Sequence, residues 1–327
     1  MSTPPSAPVG SNLSVQLGPL HLANPLINAS GTMEIFELAD ALGVDMLQRP
    51  PVAAYVPKTV TLEPRAGNPT PRILETTGGV MNAIGLSGEG LEAFVAHRLP
   101  RLVALPCPLI LSIGGFSLHE YVALASGLHR ALDQLVPGGW VARVGLEVNI
   151  SCPNVHSGCA SIGSDSVETG EVISAIREVW PGLLVAKLTP NVTDITLIAR
   201  AAVAAGADAL AAVNTYKGLV IDRHTLRPYL GNTVGGLSGA AIKPLALRTV
   251  YELFATVEVP IIGMGGVTSV QDVLEFISCG ARVVAVGSAA FREPCLARSL
   301  AAGLSDALEE RGIGLGGLVG LAHAAAV

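Results

Sequence analysis

The chain is short of aromatic residues (4%) and of charge (14%), and none of its five cysteines stands in a CxxC pair. With so few aromatics, Ala, Val, Leu and Gly must do the packing, which suits a parallel sheet sheathed in helices. Scattered thiols at Cys107, Cys152, Cys159, Cys279 and Cys295 argue against a structural zinc site and an internal iron–sulfur cluster. An odd cysteine count without a secretory signal points to the reducing cytoplasm. The net charge of −6 supplies no field to gather nucleic acid or an anionic membrane. No apolar run is long enough to span a bilayer, since the tail over 314–327 is short and carries His323; it reads as a short packed helix.

What is present is alternation. Apolar strand-like runs fall at 25–28, 52–58, 109–114, 144–150, 183–188, 209–214, 260–264 and 282–286, with helix-period segments such as 167–179, 194–205, 244–256 and 270–278 between them. Asp165 or Ser166 can cap the first of these helices and Thr193 the second. Eight strands with right-handed crossovers predict a single-domain α/β (β/α)8 barrel over 13–327, after a frayed start at 1–12. An open doubly wound sheet is the alternative, but no glycine fingerprint follows the first strand. One long connection, 215–239, has glycines at 218, 231, 235, 236 and 239 and reads as a functional loop.

In a barrel, chemistry gathers at the carboxyl ends of the strands. Polar residues recur there: Ser30, Lys58, Asn149, Cys152, Lys187, Asn214, Gly265, Gly266, Gly287 and Ser288. Glycines after the last two strands expose backbone amides that suit a phosphate, although either stretch alone is also an ordinary strand-to-helix turn. Lys187 lies in an otherwise apolar strand, so it either faces an anion, such as the N1–C2=O edge of a reduced flavin, or reaches water at the strand mouth. Lys58 poses the same choice. Asn82, Asn149, Asn154 and Asn214 offer paired donors and acceptors for a ring of alternating N–H and C=O groups, or simply turn chemistry. Cys152, fixed by Pro153 between two asparagines, is a candidate nucleophile or base, or else a small buried hydrophobe. The last reading also covers Cys107, Cys279 and Cys295. His156 and Cys159 share the Cys152 loop and read as surface residues, His156 being a secondary candidate for the base.

These segments together resemble the dihydroorotate dehydrogenases of the soluble class 1. The resemblance rests on Asn-Ala-Ser-Gly-Thr at 28–32, the Lys-Thr-Val-Thr-Leu-Glu-Pro-Arg run within 58–72, and Asn-Ala-Ile-Gly-Leu at 82–86. It continues through Asn-Ile-Ser-Cys-Pro-Asn-Val at 149–155, Ala-Lys-Leu-Thr-Pro-Asn at 186–191, Val-Asn-Thr at 213–215, Gly-Gly-Leu-Ser-Gly at 235–239 and Ile-Ile-Gly-Met-Gly-Gly-Val at 261–267.

It implies an FMN-dependent barrel that oxidises (S)-dihydroorotate to orotate in pyrimidine biosynthesis. Cys152 then matches the base that removes the C5 proton, while hydride leaves C6 for the flavin. Class 2 enzymes carry serine there. Lys58, Asn82, Asn149, Asn154, Asn214 and Thr215 match substrate-binding positions. Ser30, Gly31, Lys58, Thr59, Ser112, Asn149, Lys187, Val213, Gly239, Gly265, Gly266, Gly287 and Ser288 match FMN-binding ones. Ser112 stands where that family usually has asparagine, which puts its flavin contact in question. The stretches 58–72 and 235–244 look more like type B, whose catalytic subunit works with an electron-transfer subunit carrying FAD and a [2Fe-2S] cluster and passes electrons to NAD+. A homodimeric core is implied as well. The alternatives are a type A enzyme using fumarate, and a dihydropyrimidine dehydrogenase-like flavin oxidoreductase. A tRNA-reducing flavin barrel would want a basic face that this composition does not offer. A flavin-free aldolase using Lys187 as a Schiff base would be colourless.

Overall fold

The computed structural model describes residues 12–43, 45–150 and 162–324. After a small hairpin, β1 (Val15–Leu17) and β2 (Leu20–Leu22), come β3 (Leu26–Asn28), β4 (Ile73–Thr76), β5 (Gly79–Asn82), β6 (Leu109–Ile113) and β7 (Val144–Asn149). They are followed by β8 (Leu184–Lys187), β9 (Ala209–Ala212), β10 (Tyr216–Leu219), β11 (Val234–Ser238), β12 (Ile261–Met264) and β13 (Ala281–Val286). Seven of these form one curled parallel sheet in the order β3-β13-β12-β9-β8-β7-β6. Helices alternate with the strands and cover the outside, giving a (β/α)8-type single domain. Strands such as Leu109–Ile113 are buried along their whole length, because helices cover one face and barrel-interior side chains the other.

The eighth barrel position is filled irregularly. The sequence predicts a strand over 52–58; the structure shows an extended segment that bonds both edges of the sheet at isolated points. Ala53 N–H donates to Leu26 O at 2.8 Å on one side, and Tyr55 N–H donates to Pro108 O at 2.9 Å on the other. Val60 then continues, its N–H donating to Ser112 O at 2.8 Å. Pro57 has no N–H to give a ladder. Beside it the buried Asn28 carboxamide substitutes for backbone: its Nδ2 donates to Val56 O at 2.7 Å, and its Oδ1 accepts from Val56 N–H at 2.9 Å.

The helix starts follow local chemistry. Asp165 caps Ser166–Val179 through the amides of Val167 and Glu168. Asp194, rather than the expected Thr193, caps Ile195–Ala204, because its carboxylate accepts from Thr196 N–H at 2.8 Å. Ser269 and Asp272 form a reciprocal capping box before Val270–Ser278.

One connection differs from the sequence expectation. The 215–239 segment is not one long loop: β10 and β11 pair antiparallel and join β5 and β4 in a four-stranded sheet of order β10-β11-β5-β4. At the carboxyl end of the chain the long element is Leu296–Arg311; the apolar tail adds only a turn at Leu315–Leu318 and a shorter one at Leu321–His323. Glycines at 314, 316, 317 and 320 prevent a longer helix there. No helix among the described residues is long and apolar enough to cross a membrane.

Candidate active site

The carboxyl ends of the barrel strands surround a cavity of about 410 Å³, a volume in the range of small-molecule sites. After β3 come Ser30 and Gly31, and from the irregular segment Lys58 and Thr59. Asn149 ends β7, Lys187 ends β8, and Val213, Asn214 and Thr215 follow β9. Gly239, Gly265, Gly266, Gly287 and Ser288 line the same cavity. Asn82 enters from the end of β5, so the four-stranded sheet supplies a side of the cavity, with Ile73 and Val80 beside it. The expected residues thus converge on one space, with two kinds of exception. Cys152 and Asn154, together with His156, Cys159 and most of the 152–165 loop, lie outside the described residues. Ser112 does not line the cavity: it is fully buried beneath it, hydrogen-bonded to Thr59 and Glu147.

Strand register explains the polar floor. Asn149 pairs with Lys187 across β7 and β8, and two residues earlier on the same face of β7 Glu147 pairs with Ser112 of β6. The Lys187 amine donates to Ser30 Oγ at 3.0 Å and lies 3.5 Å from the Glu147 carboxylate, both side chains almost wholly buried. A buried charge is tolerated only when paired and hydrogen-bonded, and both conditions hold here. Asn214 Nδ2 donates to Asn149 Oδ1 at 3.2 Å, and Asn214 Oδ1 accepts from Thr215 N–H at 2.8 Å. Tyr121 anchors the strand end by donating its hydroxyl to Asn149 O at 2.9 Å. The carboxamides are therefore oriented by one another and by backbone, and form a preorganised polar wall. Glu147 escaped the sequence reading, although the signal that marks Lys187, a charge in an apolar strand, marks it equally.

The anion loops are built of bare backbone. Gly266 has φ +81°, and a Cβ there would sit 2.8 Å from Gly239 O, so the turn after β12 can close against the 239 turn only with glycine. At Gly287 a Cβ would meet nothing nearer than Ala29 Cβ at 4.0 Å, so the missing side chain leaves space in the wall itself. The nearby Lys243 amine is committed to Asp272 at 2.5 Å and Glu275 at 2.9 Å. Burial opposes ionisation of Asp272, but hydrogen bonds from Lys243, Thr268 and Ser269 outweigh it and hold the carboxyl down to about 2. Those same bonds fix the start of the helix Val270–Ser278 behind the glycine loop. Gly31 has φ +73°, and a Cβ on it would lie 3.0 Å from Lys58 Cδ, so the lysine stem packs over bare backbone on its way to the cavity. Away from the site, burial pushes the Cys107 thiol up to about 11, as befits a small core hydrophobe.

Glycine-lined loops after the last two strands, sharing one cavity with an amine and several carboxamides, are what a phosphate-bearing planar cofactor and a polar ring need. Fold and cavity define a (β/α)8 barrel with a ligand-sized site at the carboxyl ends of its strands, and the donor set there fits a flavin mononucleotide. The chain belongs to the dihydroorotate dehydrogenase family: the model of that family matches residues 12–308. Among curated relatives, the catalytic subunit of dihydroorotate dehydrogenase B (NAD(+)) from Desulforudis audaxviator (strain MP104C) is 47% identical over 315 residues, covering 95% of this chain and 97% of the relative. The subunit of the same name from Pelobacter propionicus (strain DSM 2379 / NBRC 103807 / OttBd1) is 44% identical over 303 residues, 92% of this chain and 95% of its own. That from Desulforamulus reducens (strain ATCC BAA-1160 / DSM 100696 / MI-1) is 44% identical over 313 residues, 95% and 99% of the two chains.

Proposed function

We propose that the chain is the catalytic subunit of a type B dihydroorotate dehydrogenase, oxidising (S)-dihydroorotate to orotate on FMN and sending the electrons to NAD+ through a second subunit. The convergence of Lys187, Ser30, the carboxamides of Asn82, Asn149 and Asn214, and the bare-backbone loops on one cavity carries this reading. FMN, when bound, supplies the acceptor for the hydride that leaves C6 of the substrate. The phosphate belongs with Gly239, Gly265, Gly266, Gly287 and Ser288, where backbone amides can hold an anion without a committed side-chain cation. Lys187, braced by Ser30, places its positive charge where electron density accumulates. Asn82, Asn149, Asn154, Asn214 and Thr215 would hold the dihydropyrimidine ring, and Lys58 would reach both ligands from the cavity wall. Thr59, Gly31 and Val213 form the rest of the cofactor wall. Cys152 would take the C5 proton of the substrate, so that one C–H bond yields a proton and the other a hydride. A base so placed contributes roughly 10²–10⁴ in rate.

The second subunit carries FAD and a [2Fe-2S] cluster. This chain has neither a cysteine pair nor a dinucleotide fingerprint of its own to take electrons on to NAD+. A homodimeric core and a cytoplasmic setting complete the proposal. Purification from the native host tests it: a yellow chain arriving with a second polypeptide, FAD and iron, and bleached anaerobically by dihydroorotate but not by dihydrouracil, is the expected result. Yellow protein that turns over with fumarate and brings no companion would replace type B by type A. Preference for dihydrouracil would sink the substrate assignment.

A further inference from the structure

From the cavity wall down into the core beneath it, five side chains form one continuous chain of contacts, with Ser30, Thr59 and Lys187 on the wall and Ser112 and Glu147 buried behind them. Thr59 Oγ1 lies 2.9 Å from Ser112 Oγ, and Ser112 Oγ donates to Glu147 Oε1 at 3.0 Å. Glu147 Oε1 is 3.5 Å from Lys187 Nζ, and Lys187 donates to Ser30 Oγ at 3.0 Å. Ser112 has one hydroxyl proton and gives it to the carboxylate, so Thr59 must be the donor to Ser112. The Thr59 oxygen, on the cavity wall, is thereby presented with its proton turned inward. Glu147 is the only anion in this chain of contacts, it is 3% exposed, and it shares its Oε1 between the serine and the lysine. An anion so placed does two things to Lys187: it restrains the direction of the amine, and it offsets the amine's charge. In a dry site each effect is far larger than in water.

We propose that Glu147 is a positioning residue that sets, through Lys187, the positive potential acting on the cofactor, and that Ser112 acts on the cofactor through Glu147 and Thr59 rather than by touching it. This rests on the flavin reading above. Serine fits the role because a single short hydroxyl can donate to the carboxylate and accept from Thr59 at once, within the tight spacing of neighbouring strands β6 and β7.

Sulfite addition to the bound flavin, together with the flavin midpoint potential, tests this without turnover. The sulfite adduct is an anion, and a stronger positive field stabilises it. Glu147→Gln keeps an acceptor for Ser112 but deletes the negative charge. Sulfite should then bind about tenfold or more tightly, the scale of one unit charge acting through an effective dielectric of about 20, and the midpoint potential should rise. Ser112→Ala keeps both charges but removes the hydrogen bond that draws on the carboxylate. Glu147 then neutralises Lys187 more fully, sulfite affinity should fall, and the potential should drop. Opposite shifts in the two variants are the expected signature. Unchanged sulfite affinity and potential in yellow, folded Glu147→Gln would overturn the inference while leaving the flavin reading intact. Should Glu147→Gln fail to fold, the Ser112→Ala shift decides alone, and no shift there overturns it. Colourless wild-type protein would end the flavin reading and this inference together.

Discussion

At the scale of single residues the site divides into groups that touch ligands and groups that hold those groups still. Cys152 is the sharpest case of the first kind, and in the proposed reaction it alone removes the C5 proton. Cys152→Ala should therefore lose roughly 10²–10⁴ in kcat, while orotate still perturbs the flavin spectrum as in the parent protein. Near-normal turnover would take Cys152 out of the mechanism. Gly31 is of the second kind. With φ +73° and the Lys58 stem crossing its Cα, Gly31→Ala adds both backbone strain and a Cβ 3.0 Å from Lys58 Cδ. We expect about 1 kcal/mol of lost stability, seen as a lower midpoint in urea, and a raised KM for dihydroorotate as Lys58 is pushed aside. An unchanged KM would show that Lys58 does not contact the substrate. Lys187 was legible in the sequence because a lysine between alanine and leucine in a strand has few places to go. Glu147, flanked by leucine and valine, carried the same signal, but a lone acid two residues before Asn149 reveals its meaning only when register sets it beside Ser112 and one strand from Lys187.

At the scale of elements, the helix behind the phosphate loops carries a measurable pH signature. Asp272 closes the capping box, accepts from Thr268 and Ser269, and holds Lys243. Its carboxyl titrates at about 2 when folded, against an ordinary value of 3.8. A depressed acid stabilises the fold above its unfolded pKa, so this contribution, about 2 kcal/mol, is complete above pH ~5 and fades as pH falls from there toward 2. Asp272→Asn should thus lower the unfolding free energy by about that amount at neutral pH, with the gap to wild type closing below pH ~4. A gap independent of pH would mean that packing, not the carboxylate's charge, is what Asp272 supplies. FMN affinity should fall with it, since the helix start backs the glycine turn at Gly266. Caps of this kind were only partly readable beforehand: Asp165 sits one residue before a periodic run as expected, whereas at the second helix the cap is Asp194 and not Thr193. The β10–β11 hairpin was not, because Gly235 and Gly236 have little intrinsic strand preference and its further partner β5 lies more than 150 residues earlier in the chain. The irregular closing segment failed for another reason. Its apolar run promised a strand, yet Pro57 denies a donor, and a carboxamide far upstream, Asn28, completes the ladder instead.

For the whole molecule, alternation of apolar strands and helical periods was enough to predict the barrel, because each βα unit must bury both faces of its strand and only a closed or covered parallel sheet does so. The architecture also limits how far electrons can travel within this chain. One cavity at the carboxyl end of the barrel gathers nearly all of the described ligand-binding candidates, and its contents by the reading above are one FMN and one pyrimidine. No stretch of the sequence offers a nicotinamide a Gly-rich turn after the first strand, and the cysteines are too dispersed to hold a cluster. The purified chain should accordingly be bleached by dihydroorotate within a turnover and pass electrons to a small artificial acceptor, yet form no NADH from NAD+ on its own. Adding the electron-transfer subunit should restore NADH formation, followed as its ultraviolet absorbance, with the dihydroorotate-dependent bleaching step unchanged in rate. NADH produced by the chain alone at a rate matching the reconstituted pair would show that the barrel reaches nicotinamide directly, and the division of labour between two polypeptides would have to be abandoned.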